Sequence, residues 1–179
     1  MVHLTYFVHC TTTDNEKDLA TGQLPGELST LGLEQSKALR QQTAGRIFDV
    51  VFCSDLQRAI DTSNIAFGDS YPIKQDSRLR EVDYGDWNGK PDSFKNVLTD
   101  YIDQRFPNGE GYRDVEQRLR DFCDFLRREY NDKRVAIVAH QAPQLALDVI
   151  LAGKTWEQAI AQDWRHTKSW QPGWDYLIP

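Results

Sequence analysis

Short apolar runs that alternate with amphipathic segments constrain the fold of this chain more than any other feature. The runs are too short for stable helices and are rich in valine, isoleucine and phenylalanine, so we expect buried strands at residues 2–8, 49–54 and 134–140. Helical periodicity or helix capping signals predict helices over 29–45, 55–67, 91–105, 113–130, 142–153 and 155–160. This alternation predicts an α/β fold, a three-layer α/β/α arrangement around a mostly parallel central sheet.

The remaining segments are short. Residues 11–29 and 71–91 are rich in turn residues and are expected to be loops, with one strand near Ile73. The tail after Trp164 is expected to add an edge strand. No repeat or linker interrupts the pattern, and 179 residues suffice for one hydrophobic core, so we expect a single domain over 1–179.

Charge and composition exclude several classes of function. A net charge of −6 and a sequence pI near 5.2 argue against a nucleic-acid binder and against a basic membrane surface. An anionic substrate must therefore be held by a local cluster of donors. Three cysteines form an odd, sparse set, and no segment is typical of a secretion signal or a membrane span, so a cytoplasmic protein is expected.

Chemically versatile side chains occur where the predicted strands end. His9 and His140 stand at the ends of the two most apolar strands. Arg58 lies in the first turn of the helix that follows the strand at 49–54, and Glu81 lies in a glycine-rich loop. Ligands of open α/β sheets bind beyond the carboxyl ends of the strands, so these four side chains are expected to converge. Each one alone is more often structural. Together, two imidazoles, a guanidinium and a carboxylate predict a site that handles phosphate.

Six segments, in order, resemble the motifs of the histidine phosphatase superfamily, which includes the cofactor-dependent phosphoglycerate mutases and their small phosphatase relatives. The family motif R-H-G-x-T-x-x-N is matched by VHCTTTDN at 8–15. The later motifs are matched by TGQLPGELSTLGLEQSKAL, VFCSDLQRAIDT, LREVDYGDWNG, and PNGEGYRDVEQR with VAIVAHQ. The resemblance covers most of the chain and implies the phosphoglycerate mutase-like version of the α/β/α fold.

The resemblance also implies residue roles. His9 would attack the phosphoryl group and become phosphohistidine, Glu81 would protonate the leaving oxygen, and Arg58 and His140 would hold the phosphoryl oxygens. It implies no metal and no cofactor, and a small phosphorylated metabolite as the binding partner. The other residues expected to bind substrate are Thr12, Asn15, Thr21, Gly22, Tyr84 and Gln141.

The chain departs from the family at the first motif. Val8 stands where the family has a phosphate-binding arginine, and Cys10 stands where it has glycine. Loss of one such guanidinium costs about 3–4 kcal/mol of transition-state stabilisation, by analogy with an oxyanion donor. Lys17, Arg80 and Arg113 are candidates for a substitute cation by their position in loops or at a helix start.

Three functions are compatible with these residues. The first is a metal-independent phosphomonoesterase. The second is a weakened relative that binds phosphorylated ligands or serves as an interaction module, as the Val8 substitution suggests; the third, a phosphoglycerate mutase, fits the short chain less well. The oligomeric state is open, with a homodimer as one option. The tail tryptophans are expected to pack in the core or in a lid, with a dimer surface as the alternative: Trp156, Trp164, Trp170 and Trp174.

Overall fold

The structure is a computed structural model that describes residues 1–169 and 171–179. Within these residues the strands are β1 (Val2–Val8), β2 (Leu19–Ala20), β3 (Val50–Cys53), β4 (Ile73–Gln75), β5 (Lys90–Pro91), β6 (Arg134–Ala139) and β7 (Trp174–Ile178). The α-helices are α1 (Thr30–Gln42), α2 (Gln57–Phe67), α3 (Tyr112–Glu129), α4 (Gln141–Ala152), α5 (Trp156–Ala161) and α6 (Trp164–Thr167). Single turns of 3₁₀ helix occur at Asn15–Lys17, Ser77–Leu79 and Gly85–Trp87.

The central sheet has the strand order β4-β3-β6-β1-β7. Its first four strands are parallel, and β7 pairs antiparallel with β1 at the edge, which confirms the expected edge strand. In the register of β1 and β6, Val8 lies opposite Ala139. The next residue of each strand is a histidine, so this register brings His9 and His140 to the same edge of the sheet.

Two hydrophobic clusters cover the two faces of the sheet, so the predicted α/β/α arrangement is confirmed. Alternate residues of β1 point to opposite faces. Leu4 and Tyr6 pack in the larger cluster with α3 and α4. Phe7 packs in the smaller cluster with Leu39 of α1 and Phe67 of α2. That residues 1–179 form one domain stays a prediction. No helix among the residues described is long and apolar enough to cross a membrane.

Helix α3 follows its sequence pattern closely. Val115, Leu119, Phe122 and Leu126 recur at helical spacing, and all four are fully buried. Such a stripe is what holds an amphipathic helix on a sheet. Tyr112, in the first turn of the helix, is buried in the same hydrophobic cluster as Val82 and Tyr84 of the loop that carries Glu81.

Helix α1 differs from its pattern. Ser29 caps it as expected, accepting a hydrogen bond from the Gly32 backbone N–H at 3.2 Å. Leu31 and Leu33, however, are about half exposed, at 52% and 41%, and Leu39 is the buried leucine. The face with Gly32 packs inward instead. The approach there is so close that a Cβ atom on Gly32 would lie 2.0 Å from the Thr11 carbonyl oxygen. Contact with the loop after β1 therefore sets the orientation of the helix.

The predicted helix over 91–105 is wrong in type and length. The segment starts with β5 and continues as a 3₁₀ helix at Asp92–Tyr101, interrupted at Val97, where φ is −120° and ψ is 26°. Its polar residues are weak helix formers. Phe94 and Tyr101 instead pack with Trp87 in an aromatic cluster, so tertiary contacts shape the segment.

The tail tryptophans divide between the core and the surface. Trp156 is buried, packs on Tyr112 and donates its indole N–H to Glu116 Oε2 at 2.7 Å, which confirms core packing. Trp164 stacks on Trp174, with ring centroids 5.9 Å apart. Trp170 lies outside the described residues.

Candidate active site

His9 follows β1 directly and is held in one orientation by its own loop. Its backbone N–H donates to the Ala139 carbonyl at 2.9 Å, and its Nδ1 lies 2.8 Å from the Cys10 carbonyl oxygen, so Nδ1 carries the hydrogen. Burial, and then the charge of Arg58, lowers the pKa of His9 to about 3. The imidazole is therefore neutral at ordinary pH, with an unprotonated Nε2.

Arg58 is buried in the first turn of α2 and contacts that same nitrogen. Its Nε donates to His9 Nε2 at 3.3 Å. Its two terminal nitrogens donate to loop carbonyls, NH2 to Gly22 at 2.7 Å and NH1 to Leu24 at 2.7 Å and Pro25 at 3.2 Å. The guanidinium thus connects the predicted nucleophile to the loop that follows β2.

His140 lies beside His9 and has no access to solvent. The two ring centroids are 5.0 Å apart, and neither ring nitrogen of His140 has a hydrogen-bond partner among the described residues. Burial, then the Arg58 charge, lowers the pKa of His140 well below its usual value. Tyr6 positions the backbone, since its hydroxyl donates to the His140 carbonyl and accepts from the His140 N–H. Unpartnered buried nitrogens of this kind indicate a place for ligand oxygens.

Glu81 is buried at the N-terminus of α4. Its Oε1 accepts backbone N–H groups from Val82 at 3.0 Å and Ala142 at 2.9 Å, and its Oε2 accepts that of Gln141 at 3.1 Å. A helix N-terminus is a favourable place for a carboxylate. Because Oε2 accepts one N–H and Oε1 accepts two, Oε2 is the oxygen with room for a transferable proton.

The predicted substrate ligands of the first loop contact one another. The Thr12 N–H donates to Asn15 Oδ1 at 3.0 Å, and the Asn15 N–H donates to Thr12 Oγ1 at 3.1 Å. Thr21 donates its hydroxyl to Asp14 Oδ2 at 3.0 Å. These side chains therefore shape the loop between β1 and β2, and a direct role in substrate binding stays a prediction.

Gly22, Tyr84 and Gln141 also lie around the site. Gly22 has φ of +56° and supplies the carbonyl that Arg58 binds. Tyr84 is buried, and burial together with the Glu81 charge raises the pKa of its hydroxyl well above the usual value. The Gln141 side chain donates its Nε2–H to Asp163 and so points toward the C-terminal part of the chain.

Two of the candidates for a substitute cation are engaged elsewhere. Arg80 forms a two-point ion pair with Asp55, and Arg113 binds Asp103 and Glu116. Lys17 is exposed at the end of its 3₁₀ turn.

Cys10 does not have the properties of a reactive thiol. Its backbone N–H donates to Thr62, and burial raises the pKa of the thiol above its usual value. A reactive cysteine needs a lowered pKa. The residue therefore fills space in the loop beside His9.

Sequence reasoning missed the residues that support the Glu81 loop from a distance. Arg118 of α3 donates from NH1 to the Arg78 carbonyl at 2.6 Å and from NH2 to the Glu81 carbonyl at 3.1 Å. Asp163, almost fully buried, accepts the Gln141 amide. No local sequence signal distinguishes either residue. In the sequence, Arg118 is typical of an exposed charge on a helix, and Asp163 is typical of a helix N-cap.

Metal ligation has no structural basis within residues 1–169 and 171–179, where no group of three or more His, Cys, Asp or Glu side chains could hold an ion. The chemistry available is that of a neutral imidazole whose unprotonated Nε2 faces a guanidinium, a second imidazole that is buried, and a carboxylate. Such a set can attack, neutralise and protonate a phosphoryl ester. Fold and site together are those of a phosphoryl-transfer protein, and the role of His9 as its nucleophile stays a prediction.

Comparison with known proteins identifies the family. Residues 6–171 match the histidine phosphatase superfamily (branch 1), and the chain belongs to that family. It is 27% identical to phosphoserine phosphatase 1 of Hydrogenobacter thermophilus, over 86% of this chain and 77% of that protein. It is 28% identical to the adenosylcobalamin/alpha-ribazole phosphatase of Escherichia coli, over 74% of this chain and 70% of that protein.

A solved structure gives the same result at the level of the fold. A mycobacterial glucosyl-3-phosphoglycerate phosphatase superposes with a TM-score of 0.77 at 27% identity, covering 89% of this chain and 83% of that one. The phosphoglycerate mutase-like fold implied by the motifs is therefore confirmed. The three relatives are all phosphatases, and their substrates differ.

Proposed function

We propose that this protein is a phosphomonoesterase that hydrolyses a small phosphorylated metabolite through a phosphohistidine on His9. Membership of the family supports the class of reaction, because the similar proteins are phosphatases of small metabolites. The observation that carries the residue assignment is the His9 imidazole. It is neutral, fixed by the Cys10 carbonyl through Nδ1, and presents Nε2 to Arg58 and the adjacent His140.

The reaction has two steps. In the first, His9 Nε2 attacks phosphorus, the bond to the ester oxygen breaks, and the leaving oxygen takes a proton from Glu81 Oε2. In the second, water attacks the phosphohistidine, gives its proton back to Glu81 and releases inorganic phosphate, which restores neutral His9. Arg58 and the ring N–H of His140 donate to the phosphoryl oxygens. Positioning and charge neutralisation are the main requirements of this chemistry.

Three further expectations belong to this proposal. The reaction uses neither a metal nor a cofactor. The partner is a small phosphorylated substrate and not a nucleic acid or a membrane, in keeping with the net charge of −6. The protein works in the cytoplasm, where Cys10, Cys53 and Cys123, all free in the structure, stay reduced.

Hydrolysis of p-nitrophenyl phosphate in the presence of EDTA, between pH 4 and 9, tests the proposal. We expect turnover by the native protein and by Cys10→Ala, and none by His9→Ala. Intact-protein mass spectrometry of samples quenched during turnover should detect a phosphorylated form that is missing in His9→Ala. Phosphorylation that persists in His9→Ala would refute the role of this residue.

The alternative, a protein that binds phosphorylated ligands without turning them over, is favoured by Val8 and by the engagement of Arg58 with loop carbonyls. It predicts that phosphate or vanadate raises the melting temperature while no substrate is hydrolysed at any pH. Transfer of the phosphoryl group to a sugar phosphate acceptor instead of water would support the third candidate, a phosphoglycerate mutase.

A further inference from the structure

The phosphoryl site lacks one of the cations that its family motif leads us to expect. Val8 offers no charge, and Arg58 already makes four hydrogen bonds inside the protein, one to His9 and three to the loop carbonyls. A phosphoryl ester carries up to two negative charges, which increases the need for further cationic donors. The C-terminal part of the chain contains a candidate that sequence reasoning did not consider.

Helix α6 is fastened to the beginning of α4, directly after His140. Asp163, its N-cap, accepts the Gln141 Nε2–H through Oδ2. Trp164 donates its indole N–H to Gln144 Oε1 at 3.3 Å. The Gln141 backbone N–H also donates to Glu81, so a continuous set of hydrogen bonds connects α6 with the loop that carries Glu81.

Arg165, in the short helix α6, contacts both of the residues that bind α6 to α4, Asp163 and Trp164. Its NH1 donates to Asp163 Oδ1 at 3.0 Å, and its guanidinium carbon lies 4.4 Å from the centroid of the Trp164 ring. Among the residues that the structure describes, no other acceptor binds the guanidinium. Trp164 in turn lines a pocket of about 550 Å³ together with Val8 and His9.

The electrostatic influence of Arg165 reaches the site. Burial is the main reason for the low pKa values of His9 and His140, and the charge of Arg58 lowers both further. Arg165 acts on both in the same direction but less strongly, as do Lys95 on His9 and Arg118 on His140. The Arg165 charge also opposes the raised pKa of the buried Tyr84 hydroxyl. By contrast, Arg80 and Arg113 are held in their own ion pairs.

We propose that Arg165 supplies a second guanidinium to the phosphoryl group, in the role that the family motif assigns to an arginine at the position of Val8. The proposal rests on the proposed function and extends it by one residue. Asp163 holds the guanidinium through one nitrogen and leaves other N–H groups to bind phosphoryl oxygens. The anchoring of α6 on α4 keeps the donor in place before substrate arrives, so little ordering is required on binding.

Variants of Arg165 test this role. Arg165→Met keeps the aliphatic stem on Trp164 and removes the charge. Loss of one preorganised donor lowers turnover by about 100- to 1,000-fold; for a partly exposed guanidinium we expect a loss of about 10- to 100-fold in kcat/KM for p-nitrophenyl phosphate. Inhibition by vanadate should weaken in parallel, and Arg165→Lys should retain part of both.

Arg46→Met is the matched control. Arg46 is also a partly exposed arginine with a single carboxylate ion-pair partner, Asp175 at 2.9 Å, but it lies toward the opposite end of the sheet. We expect its kcat/KM and vanadate inhibition to equal those of the native protein. A loss as large as that of Arg165→Met would mean that removal of any such ion pair disturbs the fold, and it would overturn the proposal.

Restoring the arginine of the family motif provides the decisive comparison. Val8→Arg in the Arg165→Met background should recover most of the lost kcat/KM, whereas in the native background it should give a smaller gain. Two results would refute the proposal: an equal gain in kcat/KM from Val8→Arg in both backgrounds, or a kcat/KM of Arg165→Met equal to that of the native protein. As long as the native protein turns over substrate, neither result affects the proposed function. Absence of turnover in the native protein would instead refute the proposed function; vanadate affinity, measured by thermal shift, then decides whether Arg165 binds the anion.

Discussion

His9 and Arg58 are bound to each other, with the Arg58 Nε donating to the His9 Nε2 at 3.3 Å. The same nitrogen is the proposed nucleophile, so a phosphoryl group must displace this hydrogen bond in order to react. The contact also disfavours a proton on His9, because a guanidinium repels an imidazolium. It therefore keeps the nucleophile neutral and occupied until a substrate arrives.

A neutral His9 predicts acid sensitivity of folding. The unfolded imidazole takes up a proton below its ordinary pKa of about 6.5, while folded His9 does so near 3. Its contribution to stability is thus complete above pH 6.5 and is lost as the pH falls toward 3. By pH 5 we expect a loss of about 1–2 kcal/mol in the free energy of unfolding from this residue, with a loss in the same direction from His140.

Urea unfolding at pH 7 and pH 5 measures this effect. His9→Ala should lose less stability between the two pH values than the native protein does. His3→Ala, which removes an exposed histidine of β1, is the control for the loss of a histidine. An identical pH dependence in the native protein and in His9→Ala would contradict the assignment of a neutral, buried imidazole.

Glu81→Gln should reveal the proton donor through the leaving group. Protonation by a positioned acid contributes about 10²- to 10⁴-fold, and p-nitrophenolate needs it far less than an alkoxide does. We therefore expect a loss of at least about 100-fold in kcat for an alkyl phosphate and a much smaller loss for p-nitrophenyl phosphate. Equal losses with the two substrates would argue against acid catalysis by this residue.

The same substitution has a structural cost. Gln can keep an oxygen for the Val82 and Ala142 N–H groups, but its NH₂ then faces the Gln141 N–H, which loses its acceptor. An unsatisfied buried donor costs about 1–3 kcal/mol. The melting temperature should fall accordingly, and kinetics should be measured well below it.

Thr12 and Asn15 should act on stability more than on substrate binding. Thr12→Val and Asn15→Ala each remove one half of a reciprocal pair of hydrogen bonds, at 3.1 and 3.0 Å. We expect each to lower the free energy of unfolding by about 1 kcal/mol, with KM for p-nitrophenyl phosphate little changed. A several-fold rise in KM at unchanged stability would restore the role that the sequence motif suggests.

Gly22→Ala should disrupt the support of Arg58. A Cβ atom at this positive-φ position would lie 1.7 Å from Asn88 Oδ1, so the loop must shift and carry the Gly22 carbonyl away from the guanidinium. We expect a loss of activity of at least about tenfold, together with reduced stability. Gly45→Ala, where nothing lies within 4 Å of the added atom, is the control and should keep full activity.

Local sequence determined a large part of the molecule. The strands at β1, β3 and β6 and the stripe of α3 could be predicted because burial on a sheet imposes a period that is visible in the chain. The same pattern placed His9 and His140 at strand ends, and parallel pairing then brings the carboxyl ends of β1 and β6 together. The placement of these two histidines needed no long-range information beyond this rule.

Tertiary structure alone decided which groups each side chain contacts. Gln141 was expected at the substrate and binds Asp163, and Arg80 was a candidate cation and binds Asp55. Arg165, without a motif of its own, is linked through Asp163 to Gln141, the residue that follows His140. Hydrogen bonds and charge effects depend on distances of a few ångströms between residues far apart in the chain, and no local pattern encodes those distances.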